Sequence, residues 1–163
     1  MSSSLTIRPI PNTPALFVKE KKLLVLADLH IGIENELHEQ GLHVPSQLPQ
    51  MWYMIKKLCK EYNPDDIVLL GDIKHSIPQT PYHEKKQLKS FFEEIKQLAK
   101  IHIMPGNHDG NIQWYIDKDI NLYESDGFLF DSIALVHGHR WPNESVMDAS
   151  YLFMGHTHPT VML

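Results

Sequence analysis

The feature that most constrains this chain is a pairing that recurs five times: a short, largely apolar run followed at once by a cluster rich in Asp, Asn, His and Gly. Leu23-Leu24-Val25-Leu26-Ala27 leads into Asp28-Leu29-His30, and Ile67-Val68-Leu69-Leu70 into Gly71-Asp72-Ile73-Lys74-His75. Ile101-His102-Ile103-Met104 precedes Gly106-Asn107-His108-Asp109, Ile133-Ala134-Leu135-Val136 precedes His137-Gly138-His139, and Tyr151-Leu152-Phe153-Met154 precedes Gly155-His156-Thr157-His158. Runs this short read as buried strands rather than helices. Ligands of an open α/β sheet bind outside the carboxyl ends of its strands, so five such clusters are expected to meet along one rim.

The rest of the chain fits an α/β fold. Ala15-Leu16-Phe17-Val18 and the strand from Leu23 are separated by Lys19-Glu20-Lys21-Lys22, which suits a hairpin with a charged turn. Leu48, Met51, Trp52, Ile55, Leu58 and Cys59 recur at helical spacing, as do Leu88, Phe91, Phe92, Ile95, Leu98 and Ala99. The second helix carries Lys85, Lys86, Lys89, Lys96 and Lys100 against Glu84, Glu93 and Glu94, a mixed-sign pattern that reads as a solvated face. Phe128-Leu129-Phe130, Asp131-Ser132 and Ile133 to Val136 suggest another hairpin. At 163 residues, one domain over 1–163 is expected. With 42% apolar residues, no secretory h-region and no membrane-length apolar run, the expectation is a cytoplasmic protein with no membrane partner. The single cysteine, Cys59, is assigned to packing.

Eleven histidines are the odd feature of the composition. Carboxylate, imidazole and amide donors without thiolate suit Mn, Fe, Zn or Ni and exclude a cysteine-built structural zinc. Seven or more such donors exceed what one ion needs when water or substrate must also bind, so two divalent ions are implied. A carboxylate-bridged pair is the usual device for in-line displacement at phosphorus.

The series D-x-H, G-D, G-N-H-D, H-G-H and G-H-T-H, in that order, resembles the calcineurin-like metallophosphoesterases over about Leu23 to Pro159. Within that superfamily the Gly71-Asp72-Ile73-Lys74-His75 segment and the N-terminal hairpin are similar to the small SbcD-related phosphoesterases. The stretches Asp28-Leu29-His30-Ile31-Gly32-Ile33-Glu34 and Gly41-Leu42-His43-Val44-Pro45 add to that likeness. The resemblance implies a four-layer αββα sandwich, two stacked mixed β-sheets flanked by helices. It implies that Asp28, His30 and His158 bind one metal, that Asn107, His137 and His156 bind the second, and that Asp72 bridges both. His108 would be the acid for the leaving alkoxide, with His75 close to that acid and to the phosphate. Asp109 would hold the turn or orient an imidazole. The ions expected are two Mn2+, with Fe, Zn and Ni fitting the same donors, and a hydroxide between them would attack phosphorus.

Other histidines are read more plainly. His102, between two isoleucines, is expected to satisfy a hydrogen bond on a strand, and His38, His43 and His83 to lie on the surface. Of the His137-Gly138-His139 pair, His137 is chosen as ligand because it directly follows the apolar strand; His139 is left for phosphate contact. Lys74 is left between binding a phosphate oxygen and pointing to solvent. Specificity is expected from the loops Glu34 to Pro49, His75 to Tyr82 and Arg140 to Ala149.

The chain stops at Leu163 inside the apolar run Thr160-Val161-Met162-Leu163, where the family normally adds strands to the second sheet. A C-terminally truncated chain, or a homodimer covering the open edge, is the expectation there. The function expected is a phosphodiesterase or nuclease acting on nucleic acid, DNA or RNA, or on nucleotide-like diesters. The alternatives are a phosphatase or pyrophosphatase on a small nucleotide or lipid-linked substrate, and a non-catalytic metal-binding scaffold.

Overall fold

A computed structural model describes residues 4–158 of the chain. The run Thr160 to Leu163, and with it the expectation about a truncated second sheet, lies outside the described residues. An antiparallel meander comes first: β1 (Ile7–Ile10), β2 (Ala15–Val18) and β3 (Leu23–Ala27). Lys19–Lys21 makes a 3-10 turn between β2 and β3, closed by Lys22 in the left-handed region at φ 43°, so the charged hairpin forms as the sequence suggests. Then follow α1 (Ile33–Glu39), α2 (Leu48–Tyr62), β4 (Asp66–Leu70), α3 (Tyr82–Ile95) and β5 (Lys100–Met104). The remaining elements are β6 (Asn121–Leu122), β7 (Phe128–Phe130), β8 (Ile133–Val136), α4 (Glu144–Met147) and β9 (Tyr151–Met154).

Two mixed sheets result. The larger runs β1-β2-β3-β4-β5-β6, antiparallel up to β3 and parallel from β3 onward; the smaller runs β7-β8-β9, with β8 and β9 parallel. Alternation along the central strands decides the layering, because successive side chains of a strand point to opposite faces. Leu24 and Leu26 of β3, Ile67 and Leu69 of β4, and Ile101 and Ile103 of β5 pack with Trp52, Ile55 and Leu58 of α2 and Leu88, Phe91, Phe92 and Ile95 of α3. Leu23, Val25, Val68, Leu70 and Met104 face the other way and meet Phe128, Ile133 and Leu135 of the second sheet. Ala134 and Val136, on that sheet's far side, pack against Val146 of α4. The order is helix, sheet, sheet, helix, as expected.

Helix ends follow local rules. Pro49 lies in the first turn of α2, where a missing N–H costs nothing, and Asn63 ends the helix in a left-handed conformation at φ 45° with its N–H returned to the Cys59 carbonyl. The second predicted helix is displaced: it begins at Tyr82 and stops at Ile95, leaving Leu98 and Ala99 in the turn before β5. Two segments expected as loops contain helices, α1 within Glu34 to Pro49 and α4 within Arg140 to Ala149. The Asn143 side chain caps α4 by accepting the Ser145 N–H at 3.0 Å. No helix among the described residues is long and apolar enough to cross a membrane.

Leu69 is fully buried between the central strands and the helices, whereas Leu129 on β7 is 43% exposed. Leu69→Ala is expected to destabilise the fold by about 2–5 kcal/mol, and Leu129→Ala by less than about 1 kcal/mol. Urea unfolding of the two variants beside the parent chain measures both; equal losses would contradict this layering.

Candidate metal centre

The carboxyl ends of β3, β4 and β5 lie side by side in parallel register, and β8 and β9 end against them from the second sheet. Each polar cluster starts where its strand stops, and the backbone turns sharply there. Among the described residues, ten non-glycine residues have positive φ, and five of them are Asp28, His30, Asp72, His156 and His158. The other five are Asn12, Lys22, Asn63, Asn111 and Asp131, all in turns or at element ends. Left-handed backbone at a non-glycine residue costs of order 1 kcal/mol or more and gathers where surrounding structure and function require it.

Two close groups result. Asp28, His30 and His158 bring donor atoms within 4.8 Å of one another, and so do Asp72, His137 and His156. Asn107 joins the second group, its Oδ1 lying 3.2 Å from His137 Nε2, and Asp72 Oδ2 is also 3.2 Å from that nitrogen. The groups adjoin: His137 Nδ1 is 3.8 Å from Asp28 Oδ1, and His30 Nε2 is 3.9 Å from Asp72 Oδ2. All seven residues singled out in the sequence as ligands are thus gathered at one place. Asp72 and His137 form its buried floor, while the His158 side chain, 59% exposed, stands at the rim 3.6 Å from Asp28.

The floor is electrostatically poised. Burial pushes the Asp72 carboxyl up, but the His137 hydrogen bond, the His108 N–H at 2.9 Å and the charges of both imidazoles hold it well below the usual carboxylate range. Burial pulls His137 down, yet the hydrogen bond and charge of Asp72, with Asp28 behind, leave it above the ordinary histidine value. His137 Nδ1 is buried without a hydrogen-bond partner. Convergent carboxylate, amide and imidazole lone pairs, one of them orphaned, fit divalent cations of the transition series. Close packing enforces this arrangement: a Cβ on Gly71, at φ +73°, would sit 2.0 Å from His137 Nδ1, and one on Gly106 would sit 2.2 Å from Asp72 Oδ1.

A third group, His30, His75 and His108, lies beside the first two. The His75 and His108 rings are 5.5 Å apart, so the two residues expected to act on the phosphate ester are neighbours. His108 Nδ1 is hydrogen-bonded to the His75 carbonyl. His139 lies outside the donor groups that include His137, its ring 5.2 Å from that of His137. His102 takes the plain role, with Nε2 at 2.8 Å from Asp66 Oδ1 and Nδ1 at 2.9 Å from the Tyr123 hydroxyl. His38, His43 and His83 are exposed.

Three buried charges refine the sequence reading. Asp109 holds the turn: its carboxylate accepts the N–H groups of Ile73 at 2.9 Å, Lys74 at 3.1 Å and Gly106 at 2.8 Å, tying the β5 cluster to the β4 cluster. Lys74 does not point to solvent; it is fully buried, and its Nζ donates to the Ser76 carbonyl at 2.6 Å. Lys85, Lys86, Lys89, Glu93, Glu94 and Lys100 are exposed, as the solvated-face reading expects, and Glu84 is the exception to it. It is fully buried, and its Oε1 accepts the N–H groups of His75 and Ser76, both at 3.1 Å. The signal was present, since Glu84 lies four residues before Leu88 and seven before Phe91 on the buried stripe. Glu36, whose Oε2 meets His75 Nε2 at 2.5 Å, was legible only once α1 was known.

Comparison with known proteins agrees with this geometry. The family model for calcineurin-like phosphoesterases matches residues 21–160. Among solved structures, the chain is similar to the nuclease MPE of Pseudomonas putida, with a TM-score of 0.61 at 17% identity over 96% of this chain and 74% of that one. A further match, to YfcE, a phosphoesterase from E. coli, has a TM-score of 0.42 at 17% identity over 72% of this chain and 57% of the other. With the family model spanning most of the sequence and the donors meeting where the strands end, the chain belongs to the calcineurin-like phosphoesterase family, hydrolases that act on phosphoesters with divalent metal ions.

Proposed function

We propose that the chain is a binuclear, manganese-dependent phosphodiesterase acting on nucleic acid or nucleotide-like diesters. The observation that carries this reading is the pair of adjoining donor groups, with Asp72 within 4 Å of an imidazole of each. Asp28, His30 and His158 would hold one ion, Asn107, His137 and His156 the other, and Asp72 would serve both. Bound there, two divalent ions supply Lewis acidity that offsets charge developing on the phosphoryl oxygens and makes water reactive near neutrality.

The chain's own residues do the rest. His108 is placed twice, its backbone N–H on Asp72 Oδ1 at 2.9 Å and its Nδ1 on the His75 carbonyl. A carbonyl only accepts, so Nδ1 carries a hydrogen and Nε2 is the atom free to hold a proton for the leaving oxygen. Asp109 and Glu84, each gripping backbone N–H groups, keep the two clusters carrying Asp72, His75 and His108 in fixed relation. A diester keeps a substituent on each side of phosphorus and needs room on both sides of the donors. Clefts flank them: one of about 610 Å³ is lined by Asn107, His139 and Arg140, and one of about 290 Å³ by Glu36, His75 and His108. The fold is shared with a nuclease, which supports the diester reading by analogy of fold. A net charge of −5 favours short or nucleotide-sized substrates over long duplexes.

Metal-stripped protein restored with manganese is expected to hydrolyse an activated aryl phosphodiester faster than the corresponding monoester. Asp72→Asn is expected to lower turnover by more than about 100-fold, beyond the usual cost of losing a residue that merely supports a ligand. A folded, manganese-loaded chain that prefers the monoester would sink the diesterase reading and favour a phosphatase; one with no turnover would point to a scaffold.

His108→Gln is expected to cost about 10²–10⁴-fold on diesters with alkoxide leaving groups. The loss should shrink as the leaving group becomes more acidic, because a good leaving group needs no proton. A loss independent of leaving-group pKa, measured across an aryl and alkyl series, would remove His108 from the acid role.

A further inference from the structure

We propose that Glu36 is a positioning residue for metal binding, acting through His75 to fix the tautomer of His30 so that its Nε2 lone pair faces Asp28, Asp72 and His158. This inference rests on the metal-binding reading above.

The argument is a proton count along a chain of contacts. Glu36 Oε2 lies 2.5 Å from His75 Nε2, and a carboxylate accepts but does not donate, so His75 Nε2 carries a hydrogen. His75 Nδ1 lies 3.3 Å from His30 Nδ1, and two ring nitrogens at that separation need one hydrogen between them. In a neutral His75 ring that hydrogen is already committed to Nε2, so His75 Nδ1 accepts and His30 Nδ1 donates. His30 Nε2 is then the nitrogen with the free pair. It lies 3.9 Å from Asp72 Oδ2, and His30 shares a donor group with Asp28 and His158. The series carboxylate, imidazole, imidazole, metal extends by one ring the device in which a carboxylate orients a ligating histidine.

Both ends of the relay are held. The His75 backbone N–H donates to Glu84 Oε1 at 3.1 Å and to the Ile31 carbonyl at 3.0 Å, which holds the main chain that carries the ring. The other oxygen of Glu36, Oε1, accepts from Gln40 Nε2 at 3.0 Å, one helical turn on, leaving Oε2 for the ring. Glu36 itself is 55% exposed, so replacing it leaves the core intact, whereas the His75 side chain is only 13% exposed.

The test uses the full chain and manganese. Glu36→Ala is expected to weaken manganese binding by about 10–100-fold in competition with a chelator. Glu36→Gln is expected to keep most of the affinity, because its amide oxygen accepts the same Nε2–H, and Glu39→Ala on the same helix is expected to leave it unchanged. Long-range proton–nitrogen NMR of the metal-free chain is expected to show His30 as the Nδ1–H tautomer, and a mixture of tautomers in Glu36→Ala. The proposal is overturned by parental affinity in Glu36→Ala, by Glu36→Gln as weak as Glu36→Ala, or by His30 as the Nε2–H tautomer in the parent. A parent chain that binds no manganese would instead remove the metal-binding reading, and this inference with it.

Discussion

The site turns on the buried carboxylate of Asp72. It stands where β4 ends, at the seam between the two sheets, and it is 3% exposed. A charge so placed is costly unless its oxygens are satisfied, and here they are met by the His137 ring and the His108 N–H. Those partners come from β8 in one sheet and from the turn after β5 in the other. The requirement to satisfy one carboxylate therefore draws three strand ends to a point, and any ligand chemistry there inherits that convergence.

Buried carboxylates recur as fasteners around it. Asp109 ties the turn after β5 to the turn after β4, and Glu84 ties α3 to the segment carrying His75. Each accepts backbone N–H groups from turns where the chain has just left the sheet, so the same bonds that fix the loops help answer the backbone's need for acceptors. Left-handed backbone at Asp28, His30, Asp72, His156 and His158 marks the sharp turns from which these donors leave the strand ends.

Much of this was legible beforehand because strand ends and donors are local in sequence. The five apolar runs that precede donor clusters all became strands, β3, β4, β5, β8 and β9, and the donors after them came together. His102 was correctly kept apart from them, since a residue between two isoleucines on a strand has room for little beyond a hydrogen bond. What failed was local pattern without its context. Glu84 looked like one more charge on a solvated helix, and Lys74 like a residue choosing between solvent and phosphate; both are fully buried, Lys74 on the Ser76 carbonyl of its own turn and Glu84 on the His75 and Ser76 N–H groups. The helices α1 and α4 were missed because at 7 and 4 residues they are too short to show periodicity, and packing rather than propensity sustains them.

The sequence by itself determined the strand ends, the donor types and their order, because hydrophobic period and donor chemistry are properties of neighbouring residues; the two-sheet architecture followed from the family resemblance that this order of motifs carries. Only the tertiary structure decided which imidazole nitrogen faces which carboxylate, that Glu36 meets His75 across 39 positions, and that Asp109 and Glu84 hold the loops. The Glu36 and Asp109 contacts join elements far apart in the chain, and Glu84 reaches back from α3 across the preceding loop. Their geometry is set by the packing of α1 and α3 on the larger sheet and by the seam between the sheets, which no stretch of residues encodes alone.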